Sequence, residues 1–477
     1  MRLICRVAVL VQPPSSSRTF ALSMDQGLIA RIAVMWRLFI FILVLGILGV
    51  PLAKQGLTQD SDAKTRLSPT ENADVEELRS EVEELRRLVA ERNVSTQDLL
   101  EPPIDPQRLV QAGDARGAIL LPGTDVSLRI GGYARAEMIY DTGYVASGTL
   151  LVPSTIALDG SPLAQRRGQT TLTANHSRLN FDAHTSTDFG KLRGFVEFDF
   201  YAPQATQPRL RHAYGEWDYG NVNLIAGQTW STFMDPATLP QALPETAQPG
   251  SIFVRQGIFR LTRRVNDCVN IACAFENPSS NDFTLPDPIN DQPLERWPDF
   301  VSRIQFASND IGTFQIASLV RGIGYEDQFG DEHLRTGWGV ALTSRVQLTG
   351  TDNLRMGVTG GRGIGGYMLG LAATQSAAAP DVEGFRTLGA TGAYISLQHF
   401  FSDEFRTNMY YGLTRVESTS LMASTAARDL QNAAINLIWS PRPGFGVGIE
   451  YNYNWREVRD LTIGDNNRIQ FTIQFGP

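Results

Sequence analysis

The chain has 477 residues, 42% of them hydrophobic and 19% charged, with a formal net charge of −8 and an isoelectric point near 5.3. That length suffices for one large barrel or roughly two or three ordinary domains; the composition excludes a polytopic helical membrane protein, and the acidic balance argues against a nucleic-acid binder. Of the 42 basic residues only Lys54, Lys64 and Lys191 are lysines, leaving 39 arginines, which fits either a GC-rich genome or a use for forked, permanently charged donors.

Residues 35–55, MWRLFIFILVLGILGVPLAKQ, carry Arg37, then thirteen apolar residues from Leu38 to Val50, then small residues ending at Ala53. Thirteen falls short of the roughly 20 that span a bilayer, and the charged, apolar, small order is that of a secretory signal peptide. Residues 1–53 are therefore expected to be a targeting segment cut near Ala53–Lys54, with a start at Met24 or Met35 and an upstream extension before it. Residues 54–70 read as a flexible linker. ENADVEELRSEVEELRRLVAERN (71–93) then repeats in heptads, with Val75, Val82 and Val89 at position a and Leu78 and Leu85 at position d. Glu81 at g faces Arg86 at the next e, the favourable pairing in a parallel coil. This predicts a short periplasmic coiled coil, nominally two-stranded. Residues 94–123, with Pro102, Pro103, Pro106 and Pro122, read as an extended linker.

From Ser127 onward a period of two takes over. SLRIGGYARAEMIY sets Leu128, Ile130, Ala134, Ala136 and Met138 against Arg129, Arg135 and Glu137, and the final NRIQFTIQFGP sets Ile469, Phe471, Ile473 and Phe475 against Arg468, Gln470, Thr472 and Gln474. Strands are expected near 127–140, 176–186, 191–201, 208–218, 221–231, 255–265, 268–276, 299–308, 313–323, 336–348, 354–366, 387–400, 405–416, 429–440, 445–457 and 467–475. Two of them, 208–218 and 221–231, alternate poorly, and their faces stay unassigned. The connections change between short ones, such as TDFG (187–190) and FSDE (401–404), and long ones at 141–175, 232–254, 277–298, 367–386 and 417–428. Short turns at one end, long loops at the other and an even strand number are the signature of a transmembrane barrel. Lipid tolerates no open sheet edge, so such a sheet must close. The fold class expected is all-β, a 16-stranded antiparallel transmembrane barrel over 124–477, preceded by the short coiled-coil helix. Aromatic residues near strand ends, among them Tyr140, Trp217, Tyr219, Trp439 and Trp455, fit girdles at the membrane interfaces.

TTLTANHSRLNFDAHTSTDFGKLRGFVEFDF (170–200), PRLRHAYGEW (208–217), AGQTWSTFMDPATLP (226–240) and AFENP (274–278), behind an N-terminal coil, resemble the DcaP-like porins over roughly residues 71–477. The resemblance implies a trimeric outer-membrane barrel of a Gram-negative bacterium that passes small anions, dicarboxylates among them. It also implies that the proline-stiffened loop 232–254 folds into the lumen and narrows it, with Asp235 and Glu245 at the constriction. Barrel packing is then expected to outweigh the short coil and give a homotrimer.

Arg129, Arg135, Arg178, Arg193, Arg260, Arg303, Arg321, Arg355, Arg406 and Arg468 share the polar faces of their strands. A guanidinium grips a carboxylate with two parallel bonds, and rings of arginine favour anions in a pore. Asp182, Glu197, Asp199 and Glu450 share those faces, so an arginine–acid ladder that braces the wall is an equally open reading. No catalytic signature accompanies them. GRGIGG (361–366) ends a strand and starts no helix; the five histidines show no ligand spacing. Cys268 and Cys273 lie about 16 Å apart along a strand, beyond disulfide reach, and are expected to be free thiols. The chain is read as a non-enzymatic porin without cofactor, metal or nucleic-acid partner, its partners being the outer-membrane bilayer, further copies of itself and small anionic solutes. A phosphate-selective porin and a structural outer-membrane anchor are the alternatives.

Overall fold

The computed structural model describes residues 80–87, 111–114, 116–201, 207–244, 248–278, 282–371, 374 and 376–476. The chain divides into two units, 1–100 and 101–477. In the first, residues 80–87 form a helix on which Val82 and Leu85 stand exposed, 45% and 60% accessible. The expected signal peptide, both linkers up to residue 110, and Val75, Leu78 and Val89 of the heptad seam lie outside the described residues.

The second unit is a closed antiparallel sheet. Its sixteen long strands are β1 (Ser127–Asp141), β2 (Arg178–Thr187), β3 (Gly190–Asp199), β4 (Arg209–Tyr219), β5 (Val222–Trp230), β6 (Arg255–Arg264), β7 (Val269–Glu276), β8 (Asp299–Ser308), β9 (Gly312–Glu326), β10 (Glu332–Gln347), β11 (Asn353–Arg362), β12 (Gly389–Phe400), β13 (Phe405–Val416), β14 (Ala427–Arg442), β15 (Phe445–Val458) and β16 (Ile463–Phe475). Each pairs with its sequence neighbour, and β16 closes on β1 from Arg468↔Asp141 to Phe475↔Ala134. All sixteen strands expected from the alternation are present. A short strand, Gln169–Thr173, continues the row of β2 along β1, and the break at 174–177 turns His176 inward.

Alternation sorts the side chains as a barrel in lipid requires. On the outer face stand Phe259 (67% accessible), Ile316, Val358, Ile395 and Ile469, while their neighbours Arg468, Gln470, Asn452 and Asn436 are buried inside. Phe405, Trp439, Phe445 and Phe475 form an aromatic cluster on the outer face near the turns 401–404 and 443–444, with ring centroids 5.3 to 6.1 Å apart. Amphipathic rings of this kind settle at the headgroup level. Seven connections at that end are short, and the long ones lie opposite. Two connections at the long-loop end, 327–331 and 459–462, are also short, so the rhythm is less regular than the sequence suggests.

The two poorly alternating strands have a physical reason. β3 and β4 lose register between Glu197↔His212 and Phe198↔Leu210. The extra residue lets Arg211 and His212 both face inward, as a bulge does. In addition, Tyr214 and Ile225 occupy inward positions, where a water channel normally carries polar groups. Cys268 and Cys273 are free, and Cys273 lies on the outer face between Ile271 and Phe275.

The barrel seam is closed by charge as well as by backbone. Arg468 holds Asp141 with two bonds, Nε to Oδ1 and Nη2 to Oδ2, both 2.8 Å, and both side chains are fully buried. Removing one partner of such a pair leaves an uncompensated buried charge, at a cost of about 3–5 kcal/mol. Asp141→Ala is therefore expected to lower the unfolding midpoint of the detergent-solubilised barrel markedly, measured by denaturant titration. A midpoint equal to wild type would show that the seam does not depend on this pair.

Candidate functional site

The lumen is organised by the connection between β5 and β6. Its residues 231–235, 238, 240, 243–244 and 248–252 are buried, and its polar groups bond to inward-facing side chains around most of the wall. Thr232 N donates to Glu276 on β7 at 2.6 Å and Gln305 on β8 donates to Asp235 at 3.3 Å. Arg355 on β11 donates to Leu239 O at 2.6 Å, and Thr238 meets the Tyr394 hydroxyl of β12 at 2.9 Å. Arg406 on β13 and Gln398 on β12 both donate to Gln241 Oε1, at 2.9 and 2.7 Å. Leu243 N donates to Glu450 on β15, and Arg135 on β1 donates to Leu243 O at 2.5 Å. The segment thus crosses the interior from β5 to β1.

Asp235 starts the single 3-10 turn Pro236–Thr238 by accepting from Ala237 N at 3.1 Å. Burial pushes its carboxyl above the usual range, against the pull of that bond, of Gln305 and of the nearby Arg303 charge. Glu245 lies outside the described residues.

Two further connections fold inward. Ile364, Tyr367, Met368 and Leu371 from 363–388 pack with Phe233, Met234 and Ile252 into one apolar cluster against β8–β14. GRGIGG belongs to this packing: a Cβ on Gly366 would lie 2.1 Å from Asp282 Oδ2, and one on Gly365 2.5 Å from Ser376 O. Val145, Leu151 and Ile156 of 142–177 form a smaller cluster. Behind them the wall of β13–β16 carries an asparagine network, in which Asn432 donates to Asn452 and Asn454 and Asn436 donates to Glu450, all buried.

The ten arginines singled out by parity fall into distinct groups. On β1–β4 the guanidiniums are paired. Arg129 and Arg193 share Asp182 at 2.9 and 2.7 Å, Arg193 reaches Glu216 at 3.2 Å, and Arg178 lies 3.7 Å from Glu197. Arg135 pairs with Glu137, which also contacts His176 and accepts from Gln470. Arg211, not among the ten, holds Glu197 and Asp199 at 2.7 and 2.8 Å; its signal was hidden by the bulge. Arg321 and Arg468 are closed in buried pairs, Arg321 with Asp282 at 2.5 Å and Asp299 at 3.2 Å.

The remaining four behave otherwise. Arg260, Arg303, Arg355 and Arg406 have no carboxylate within 4.0 Å among the described residues, and Arg345, absent from the sequence set, joins them. Arg355 and Arg406 are tied to neutral groups of the loop, whereas the Nε atoms of Arg260, Arg303 and Arg345 are buried without a partner among the described residues. Arg345 and Arg355 stand directly opposite each other on β10 and β11.

Residues 112–214 match the family model described as "Porin subfamily". No curated protein matches the chain. The fold is similar to the outer-membrane channel DcaP of Acinetobacter baumannii, with a TM-score of 0.65 at 19% identity, covering 77% of this chain and 100% of that one. It is also similar to OmpF of Salmonella typhi, with a TM-score of 0.50 at 11% identity, covering 74% and 98%. The resemblance to the DcaP-like porins seen in the sequence thus extends to the fold. A closed sheet, apolar outside and polar within, is a form in which strands cross an outer membrane, and the protein belongs in the outer membrane of a Gram-negative bacterium. Family match and fold point to a channel rather than an enzyme.

The loop's far end rests on glycine. A Cβ on Gly412 would lie 2.2 Å from Pro249 O. Gly412→Val is expected to push 248–250 off β13 and make the inner loop mobile, seen as faster proteolysis of the 231–254 segment in folded barrels. Unchanged cleavage would show that this contact does not hold the loop.

Proposed function

We propose that the protein is a diffusion porin that prefers small anions, dicarboxylates among them, with loop 231–254 as its constriction. The observation that carries this reading is the uneven distribution of acid. The β1–β4 wall carries carboxylates for its arginines, and the β6–β11 wall leaves Arg260, Arg303, Arg345 and Arg355 without one among the described residues. Like charges placed directly opposite in a sheet destabilise it, so the Arg345–Arg355 pair is a standing electrostatic cost that an anion between them would relieve. A carboxylate can take two bonds from each guanidinium, and such sites lower the barrier for anions entering a pore.

The phosphate-selective reading draws little support, because the lysine of the barrel, Lys191, stands exposed beside the short turn 188–189. A homotrimer fits the outer face. Ala183, Gly194, Gly215 and Ala226 are register partners on β2–β5, and a Cβ on Gly194 or Gly215 would meet nothing within 4 Å. That flat patch lets a second barrel approach closely. Residues 1–53 are read as the signal peptide, 54–70 and 94–123 as linkers and 71–93 as a periplasmic coil, which would add a weak second contact between copies.

Reversal potentials in a potassium chloride gradient test the selectivity. Arg303→Gln with Arg345→Gln is expected to move the chloride-to-potassium permeability ratio toward unity at 0.1 M salt. The difference should shrink at 1 M, where the Debye length falls from about 10 Å to about 3 Å. A ratio that the double substitution leaves unchanged at 0.1 M would sink the anion reading. For the assembly, crosslinking in mild detergent should give a three-chain species that survives deletion of 71–93; a dimer lost on that deletion would assign assembly to the coil instead.

A further inference from the structure

A cavity of about 500 Å3 lies between loop segment 239–242 and the wall of β2–β5, and its lining differs from the arginines of β6–β11. Aromatic rings face it in a run. Phe195 and Tyr214 have centroids 5.6 Å apart, His212 and Trp230 5.5 Å, and Trp230 and Phe253 4.7 Å. Arg178 and Arg211 line it with them, and outside the lining Arg193 lies 5.0 Å from the Phe195 centroid and Arg255 4.6 Å from that of Trp230. Inward rings break the polar-inside rule of a water-filled barrel, and some of them do so in the sector where strand alternation is poorest.

The charges that line the cavity are already matched: Arg178 and Arg211 both lie on Glu197, at 3.7 and 2.7 Å, while Arg255, which has no carboxylate within 4.0 Å among the described residues, lies outside the lining. A dianion entering the cavity would have to displace Glu197 from Arg211, held at 2.7 Å. A hydrocarbon would strand those ion pairs against an apolar surface. A hydroxylated ring meets neither obstacle. Each hydroxyl both donates and accepts, so a guanidinium beside a carboxylate serves both halves, while the C–H face of the ring lies on an aromatic plane. The volume falls within the usual range of small-ligand sites, about 300–1,000 Å3.

We infer that this cavity is a subsite for a neutral hydroxylated ring, in chemical class a mono- or disaccharide, set beside the anion track. The inference rests on the reading of the barrel as a diffusion channel, but its binding step can be measured without conduction. Isothermal titration of the full detergent-solubilised protein with maltose, glucose and benzoate, in parallel with current block in planar bilayers, reads it directly. The expected result is saturable saccharide binding that Phe195→Leu weakens about threefold to tenfold, the loss of one ring contact. Phe259→Leu, on the outer face, should leave it unchanged. Heat-modifiable mobility on gels confirms that both variants are folded. Binding of benzoate without either saccharide, or saccharide binding equal in Phe195→Leu and wild type, overturns the inference. A barrel that binds saccharide yet passes no ions overturns the channel reading and leaves the subsite standing.

Discussion

Everything in this barrel depends on the absence of a hydrogen-bonding solvent outside it. A strand edge left open in hydrocarbon strands its N–H and C=O groups at several kcal/mol each. The sheet therefore closes, and its last strand must find its first across more than 300 residues. The seam bears both backbone pairing and the buried Asp141–Arg468 pair. Closure then fixes which side chains face lipid and which face the interior, and that assignment sets the chemistry of the lumen.

A sixteen-stranded barrel encloses more space than inward side chains can fill, so the interior has to be partitioned by connecting segments. Loop 231–254 carries few charges of its own and attaches through backbone carbonyls and amides to Arg135, Arg355, Glu276 and Glu450. Such charge-assisted bonds are stronger than neutral ones. On the β13–β16 side the asparagine network and Glu450 are buried beneath this packing. The cavity left beside the loop is bounded by the ion-paired, aromatic wall of β2–β5 on one side and by loop segment 239–242 on the other.

The strands were legible because two different solvents impose a strict period of two. Where the lumen departs from water, the pattern fails: Phe195, Tyr214 and Ile225 point inward, and the bulge at Arg211 shifts the parity. Arginine parity was legible too, yet pairing was not. Asp182 lies two strands away in the sheet from Glu216, and only the folded register brings Arg193 between them. Arg321 looked like any lumen arginine until Asp282, from a connection distant in sequence, closed over it. The inward fold of 363–388 was hidden because Ile364, Tyr367 and Met368 follow a strand without a break in hydrophobicity, and GRGIGG carries a nucleotide-like spacing for reasons of close packing. Arg345 escaped notice because Ser344 and Val346 beside it share no clear polar or apolar face.

The division of the lumen into matched and unmatched charge has a functional logic. A channel must attract its solute strongly enough to draw it in and weakly enough to let it go. Guanidiniums without carboxylates on every strand would hold a dianion at a depth from which release is slow, because the confined interior screens them less than bulk water does. Pairing the arginines of β1–β4 with Asp182, Glu197, Asp199 and Glu216 leaves the unmatched guanidiniums mainly on β6–β11, with Arg406 on β13 beyond them. On the proposed reading, an anion moving along Arg260, Arg303, Arg345 and Arg355 faces elsewhere in the lumen ion pairs whose opposite charges largely cancel with distance. Such pairs neither draw it in nor repel it strongly, so its binding would be set by the few unmatched guanidiniums. On that reading the acids of the braced wall would favour release by neutralising guanidiniums that would otherwise add to the hold, while their short-range bonds keep the wall in register.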